Sequence, residues 1–146
     1  MRTFPELESS QGDPELGTWV LNPVKSTYDP GPPFKRQIRT VEKAGDGQRL
    51  RNETETADGT HAVVGYTAEF DGRDYPVTGS PYGDTVVLER LDSHTVKAMV
   101  KKGGKLVLTD TRVVSNDGKA LTITQIGMSL NGQPMNNVLV YDRKHR

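Results

Sequence analysis

The sequence predicts an all-β protein: a single up-and-down antiparallel β-barrel of about ten strands, closed around an interior cavity. Three observations carry that prediction. Turn-forming pairs recur at intervals of roughly 8–12 residues. The runs between them are rich in Val, Thr, Ile and Tyr, which suit a pleated, half-buried surface. No segment sustains a helical period.

The elements follow in order. A first strand spans 17–22, and Asn22-Pro23-Val24-Lys25-Ser26 then reads as one short helical turn, with Asn22 as its cap and Pro23 at its first position. Asp29-Pro30-Gly31-Pro32-Pro33 breaks any continuation and makes the one long connection. Strands over 36–43 and 48–56 flank Gly45-Asp46-Gly47. Asp58-Gly59 leads into 60–70, Asp71-Gly72 into 73–79, and Ser80-Pro81-Tyr82-Gly83 into 84–91. Asp92-Ser93 and Gly103-Gly104 bound a strand over 94–101; Asp117-Gly118 and Asn131-Gly132 separate 105–114, 120–129 and 135–143. Tight hairpins demand sequential antiparallel pairing, and a sheet of that many strands curls or closes, which removes its exposed edges. Residues 1–15 read as a flexible tail, and 16–146 as one domain.

Alternation sorts the faces. Leu50, Asn52 and Thr54 oppose Arg49, Arg51, Glu53 and Glu55. Ala62, Val64, Tyr66, Ala68 and Phe70 share a face, as do Val86, Leu88 and Arg90, and Val96, Ala98 and Val100. Leu106, Leu108, Asp110 and Arg112 alternate along another strand. The inner set is apolar but small. A ten-stranded barrel lined in this way does not fill itself, so a partly polar cavity is expected; the competing reading is a flattened barrel collapsed on itself.

Composition excludes several functions. The 146 residues carry 33% hydrophobic and 6% aromatic residues, low for a solid core, yet they recur with a clear period. Lys+Arg and Asp+Glu stand at 19 each, so no basic excess drives phosphate binding and no nucleic-acid partner is expected. There is no cysteine, which excludes thiol catalysis, Cys-ligated metals and disulfides. The acidic, polar stretch Met1 to Leu16 lacks a signal peptide's apolar core, and no run approaches the ~20 apolar residues of a membrane span. The chain as it stands reads as cytoplasmic, or as periplasmic or secreted if a leader has been removed, and as a monomer or homodimer without membrane insertion.

Certain residues also carry a resemblance. Gly17-Thr18-Trp19-Val20-Leu21-Asn22 resembles the Gly-x-Trp start of lipocalins and related calycin barrels. With Tyr66 to Gly79, Thr111 to Ser115 and Asn136 to Tyr141, it is similar to a group of small bacterial lipocalin-like proteins, mostly uncharacterised, over roughly residues 17 to 142. The resemblance implies a lipocalin- or fatty-acid-binding-protein-like barrel and brings no established substrate. It also implies that Trp19 packs at the barrel floor under an arginine, either Arg143 or Arg112.

The candidate chemistry is sparse. Asp110 and Arg112 point to one face, and Arg90 could join them; the cluster could orient a carboxylate or carbonyl, or hold Asp110 as a general base, or form a structural salt bridge. Tyr66 and Tyr141 offer an apolar ring with a donor at its tip, or ordinary core packing. Arg90, Arg112, Tyr66, Asn52, Tyr141, Phe70 and Leu88 are the expected ligand-binding residues. Met99, Met128 and Met135 could line an apolar mouth or serve as filler. His61, His94 and His145 sit beside turns or at the chain end, with no metal-ligand spacing, so no metal and no cofactor is expected. Two functions follow. The first is binding of a small, mainly apolar ligand with a polar or carboxylate end. The alternative is a cofactor-independent isomerase, cyclase, dehydratase or lyase, with Asp110 as base and Tyr66 or Arg112 stabilising negative charge.

Overall fold

The computed structural model describes residues 13–144. Ten antiparallel strands follow one another: β1 (Gly17–Leu21), β2 (Arg36–Ala44), β3 (Gly47–Glu55), β4 (His61–Glu69), β5 (Tyr75–Pro76), β6 (Thr85–Asp92), β7 (Thr95–Lys102), β8 (Lys105–Val114), β9 (Ala120–Met128) and β10 (Pro134–Arg143). They form one sheet in the order β4-β3-β2-β1-β10-β9-β8-β7-β6-β5, curled into a nearly closed barrel. Every neighbour is sequential except β1 with β10, so the hairpin rhythm of the sequence is the topology of the fold.

The seam lies between β4 and β5. There the expected strand over 73–79 shrinks to two residues paired with β6, because Pro76 has no N–H to donate and Gly79 turns the chain. Closure rests on one bridge: Gly65 N–H to Thr78 O at 3.1 Å and Thr78 N–H to Gly65 O at 2.9 Å. Gly79 has φ +79°, and a Cβ there would collide with the Val63 carbonyl, so the seam shuts only over a glycine. The helical turn expected after β1 is a single turn. Asn22 Oδ1 accepts from Lys25 N–H at 3.2 Å, and no helix forms among the described residues.

Three expectations need correction. The tail does not extend to residue 15. Glu15 is 2% exposed and lies under the barrel, while residues 1–12 and His145 fall outside the described residues. Leu106 does not share the inner face. The β7–β8 register shifts between Val100 and Lys101, which sets Leu106 opposite the outward Lys101 and leaves it exposed. Nor is the inner set small throughout, since Trp19, Tyr141, Gln48, Arg39 and Arg112 are all buried inside.

Side chains fill the end of the barrel where Trp19 lies. Trp19, Leu21, Val114, Leu121, Ile123, Leu139 and Tyr141 form one apolar cluster. Val41, Leu50, Tyr66, Ala68, Val86, Leu88, Val96 and Ala98 form the other. The floor is clasped by Arg143, whose guanidinium lies 4.1 Å over the Trp19 ring. It donates to the carbonyls of Gly118 at 2.7 Å and Leu16 at 2.7 Å, and to that of Pro14 at 2.5 Å. Arg143, not Arg112, is therefore the cation on Trp19. The same contact explains the glycine two residues earlier: Gly17 has φ +129°, and a Cβ there would come within 2.5 Å of Arg143 Nη1.

Candidate functional site

The opposite half of the barrel is hollow. A cavity of about 240 Å³ runs from Arg39, Asp110 and Arg112 toward Phe34, Tyr82 and Leu130. Those last three residues lie in the β1–β2, β5–β6 and β9–β10 connections, all at the end away from the Trp19 floor. Its walls are mostly apolar, with Leu50, Val64, Val86, Val100, Leu108, Ile123 and Leu139 supplied by alternate positions of the strands. Uncharged polar side chains such as Gln37, Thr54, Thr56 and Asn137 are spread toward the mouth, while the charged groups gather at the inner end.

That end holds two guanidinia and two carboxylates. Arg39 comes from β2 and Arg112 from β8, each almost fully buried. Glu15 rises between them from below: its Oε2 is 3.2 Å from Arg39 Nη2 and 3.5 Å from Arg112 Nη1. Gln48 Nε2 donates to Glu15 Oε1 at 2.9 Å, and Trp19 Nε1–H donates to the Glu15 carbonyl at 2.9 Å. Burial alone would raise the Glu15 carboxyl. Arg112 and Arg39, with the hydrogen bonds from Gln48 and Arg39, outweigh it and hold this carboxyl below its ordinary range.

Asp110 is the other carboxylate, and its surroundings differ. It lines the cavity and takes part in no ion pair within 4.0 Å among the described residues. Its Oδ1 is buried without a hydrogen-bond partner. Burial raises this carboxyl above its ordinary range, against the pull of Arg112 and Arg39 and of hydrogen bonding from Gln125. The structural salt bridge that Asp110 was one candidate to form is thus not made. Arg112 turns instead to Tyr66, donating from Nη2 to the hydroxyl at 2.6 Å. The Nε and Nη1 of Arg112, the Nε of Arg39 and the Oδ1 of Asn52 also lack hydrogen-bond partners. Tyr141 donates to Gln37 Oε1, and Gln37 Nε2 donates to Thr54 Oγ1 at 2.9 Å. Burial lifts the Tyr141 phenol far above its usual range.

Of the residues expected to bind or to act, Asp110, Arg112, Tyr66, Asn52 and Tyr141 all line this cavity. Arg90, Phe70 and Leu88 do not, and this is a correction. Arg90 faces inward, but at the floor end, 3.2 Å from Asp13 and 4.4 Å above the Phe70 ring. Leu88 is fully buried in an apolar cluster. Met99, Met128 and Met135 lie outside the cavity wall. His94 faces Ser93 at its turn, and His61 is exposed. Among the described residues, no group of three acidic or histidine side chains is placed to hold a metal ion, and no helix is long and apolar enough to cross a membrane.

The lining residues that the sequence reading does not assign include the polar Arg39, Gln37, Gln125 and Asn137. A signal for the first two existed. The tight turn at Gly45-Asp46 pairs Arg39 with Asn52 and Gln37 with Thr54, and paired residues share a face. Once Asn52 and Thr54 are placed inside, Gln37 and Arg39 must follow.

Comparison with known proteins supports the fold alone. No protein-family model matches the chain, and no curated protein matches it. Among solved structures, the chain is similar to a crystal structure of zebrafish ileal bile acid-binding protein complexed with cholic acid. The TM-score is 0.56 at 9% identity, over 90% of this chain and 99% of that one. The architecture is therefore that of an all-β, fatty-acid-binding-protein-like barrel.

Proposed function

We propose that the barrel binds a small, mainly apolar molecule whose polar or carboxylate end reaches the guanidinia of Arg112 and Arg39, with Tyr66, Asn52 and Tyr141 beside it. One observation carries this reading. The cavity of about 240 Å³ is mostly apolar along its length, with scattered uncharged polar groups, and is charged only at its closed end. Such a site favours an amphipathic guest inserted head first, its chain replacing poorly held water and its head meeting fixed donors. The cholic acid held by the zebrafish protein of similar fold supports it, since that ligand joins a largely hydrocarbon, hydroxylated body to a carboxylic acid end.

Asp110 favours a second reading. A buried carboxyl raised above its ordinary range beside a phenol and a guanidinium is equipped to move a proton in a cofactor-independent isomerisation, cyclisation, dehydration or lyase reaction. One experiment separates the two. The purified protein is incubated with a panel of medium-chain fatty acids, terpenoid acids and aromatic acids, then examined by native mass spectrometry and by chemical analysis of the recovered ligand. Binding predicts a one-to-one complex and return of the ligand unchanged. Recovery of an isomer, or of a product of altered mass, selects the enzyme. No complex with any panel member overturns the binding reading.

A further inference from the structure

The charged groups at the head of the cavity count out evenly. Arg39 from β2 and Arg112 from β8 face Glu15, from the segment before β1, and Asp110 on β8. Tyr66 from β4 and Tyr141 from β10 are the other titratable groups there, and the buried Tyr28 hydroxyl stands behind Tyr141. The remaining strands contribute only uncharged groups to this end, such as Asn52 on β3 and Gln125 on β9. With both carboxylates ionised, the cluster is neutral. An entering carboxylate makes it three anions against two cations in a site shielded from water, where an uncompensated charge is expensive. Either an anion leaves or a proton arrives.

Glu15 is badly placed to leave. Its carboxylate takes contacts from Arg39, Arg112 and Gln48. Its backbone is tied by Trp19, and its neighbours Pro14 and Leu16 are tied by Arg143. Asp110 has no such hold: it makes no ion pair, and Oδ1 is buried without a partner. Resting on the binding reading above, we infer that the cavity takes up a carboxylate ligand together with one proton, which Asp110 holds while Glu15 stays paired beneath the two arginines. The ligand class is then a weak-acid amphiphile bound as an ion plus a proton. The neutral Asp110 also gains an O–H with which to donate to the ligand's own oxygen.

The test uses decanoate, with 1-decanol as its uncharged counterpart, and isothermal titration calorimetry in phosphate and in Tris at near-neutral pH. The difference in apparent enthalpy between the buffers counts protons. The wild type is expected to take up about one proton per decanoate, and its affinity to fall about tenfold for each pH unit above the titration of Asp110. In Asp110→Asn, which keeps the side chain's shape, uptake falls to about zero and the affinity for decanoate becomes flat with pH. Asp110→Ser gives the same outcome if Asn disturbs the fold, and 1-decanol brings no proton in any variant. Decanoate binding with no proton uptake in the wild type, or with uptake unchanged in both variants, overturns the inference and leaves the binding reading intact. Binding that instead exposes the backbone of residues 13–16 to hydrogen exchange overturns it in favour of Glu15 release. Failure of both decanoate and 1-decanol to bind takes the inference down together with the binding reading.

Discussion

Glu15 and Asp110 are both buried carboxylates close to the same two arginines, yet the barrel treats them in opposite ways. Glu15 sits on the floor side of the guanidinia, with an ion pair to each and a hydrogen bond from Gln48. Asp110 sits on the cavity side, without an ion pair and with Oδ1 unpartnered. The first is pushed below its ordinary range and the second above it. Burial is the largest influence on both and raises both. What differs is the supply of partners, so contact with specific donors, not depth, decides which carboxylate stays charged. One end of the barrel is completed as structure; the other keeps unspent hydrogen-bonding capacity facing a void.

The comparison breaks most completely at Glu15. Glu15→Ala leaves Arg39 and Arg112 buried at 3% side-chain exposure or less with no anion beneath them. Removing one partner of such a group costs about 3–5 kcal/mol. Urea or guanidinium unfolding is expected to show that loss as a lower midpoint with an unchanged slope. A loss under about 1 kcal/mol would mean that Asp110 takes over as counter-ion and that the two sites are interchangeable.

Arg143→Ala tests the clasp that holds Glu15 in place. The substitution removes the cation over Trp19 and the donors to the carbonyls of Pro14, Leu16 and Gly118. The expected cost is about 2 kcal/mol, with faster amide exchange at residues 13–19 and little change around Asp110. If exchange quickened equally on β8, floor and cavity would form one cooperative unit and the contrast between them would dissolve.

What was legible in the sequence follows the same divide. The strands were readable because each is bounded by turn chemistry that backbone geometry demands, as at Gly45-Asp46 and Asp117-Gly118. Only β5 collapsed: Asp71-Gly72 and Ser80-Pro81-Tyr82-Gly83 bound it as turns bound the other strands, but Pro76 stands inside it. Asp110, Arg112, Tyr66, Asn52 and Tyr141 line the cavity, and the first four stand out in the sequence as polar residues on alternating strands. Arg39 was hidden by β2 itself. Gln37-x-Arg39 puts polar residues inside, and Ile38 lies on the outer face, 37% exposed, so the usual pattern is inverted. Glu15 was illegible for another reason. It belongs to no strand, and its burial depends on contacts from Arg39, Gln48 and Arg143's grip on its neighbours, which are remote in the chain. Arg90 was misplaced because parity fixes a face but not a height: it points inward at the wrong end.

The smallest effect is the most discriminating, because it is opposite in sign at the two carboxylates. Glu15 has a depressed carboxyl in the fold, so its contribution to stability is present above the unfolded-state value and is lost as pH falls through the folded one. Asp110 has a raised carboxyl, so its contribution is fully present below the unfolded-state value and is lost as pH rises through the folded one. Asp110→Asn removes a charge that the fold disfavours. It is expected to stabilise the ligand-free protein at neutral pH by on the order of 1 kcal/mol, and to gain nothing in acid, where the wild-type carboxyl is already protonated. Thermal unfolding followed across the acid-to-neutral range reads this directly. The variant's advantage should grow from zero as pH rises through the Asp110 titration and then level off. An advantage that is constant with pH would assign the gain to packing, and a variant less stable at neutral pH would mean that the two arginines already use the Asp110 charge, making it a second Glu15.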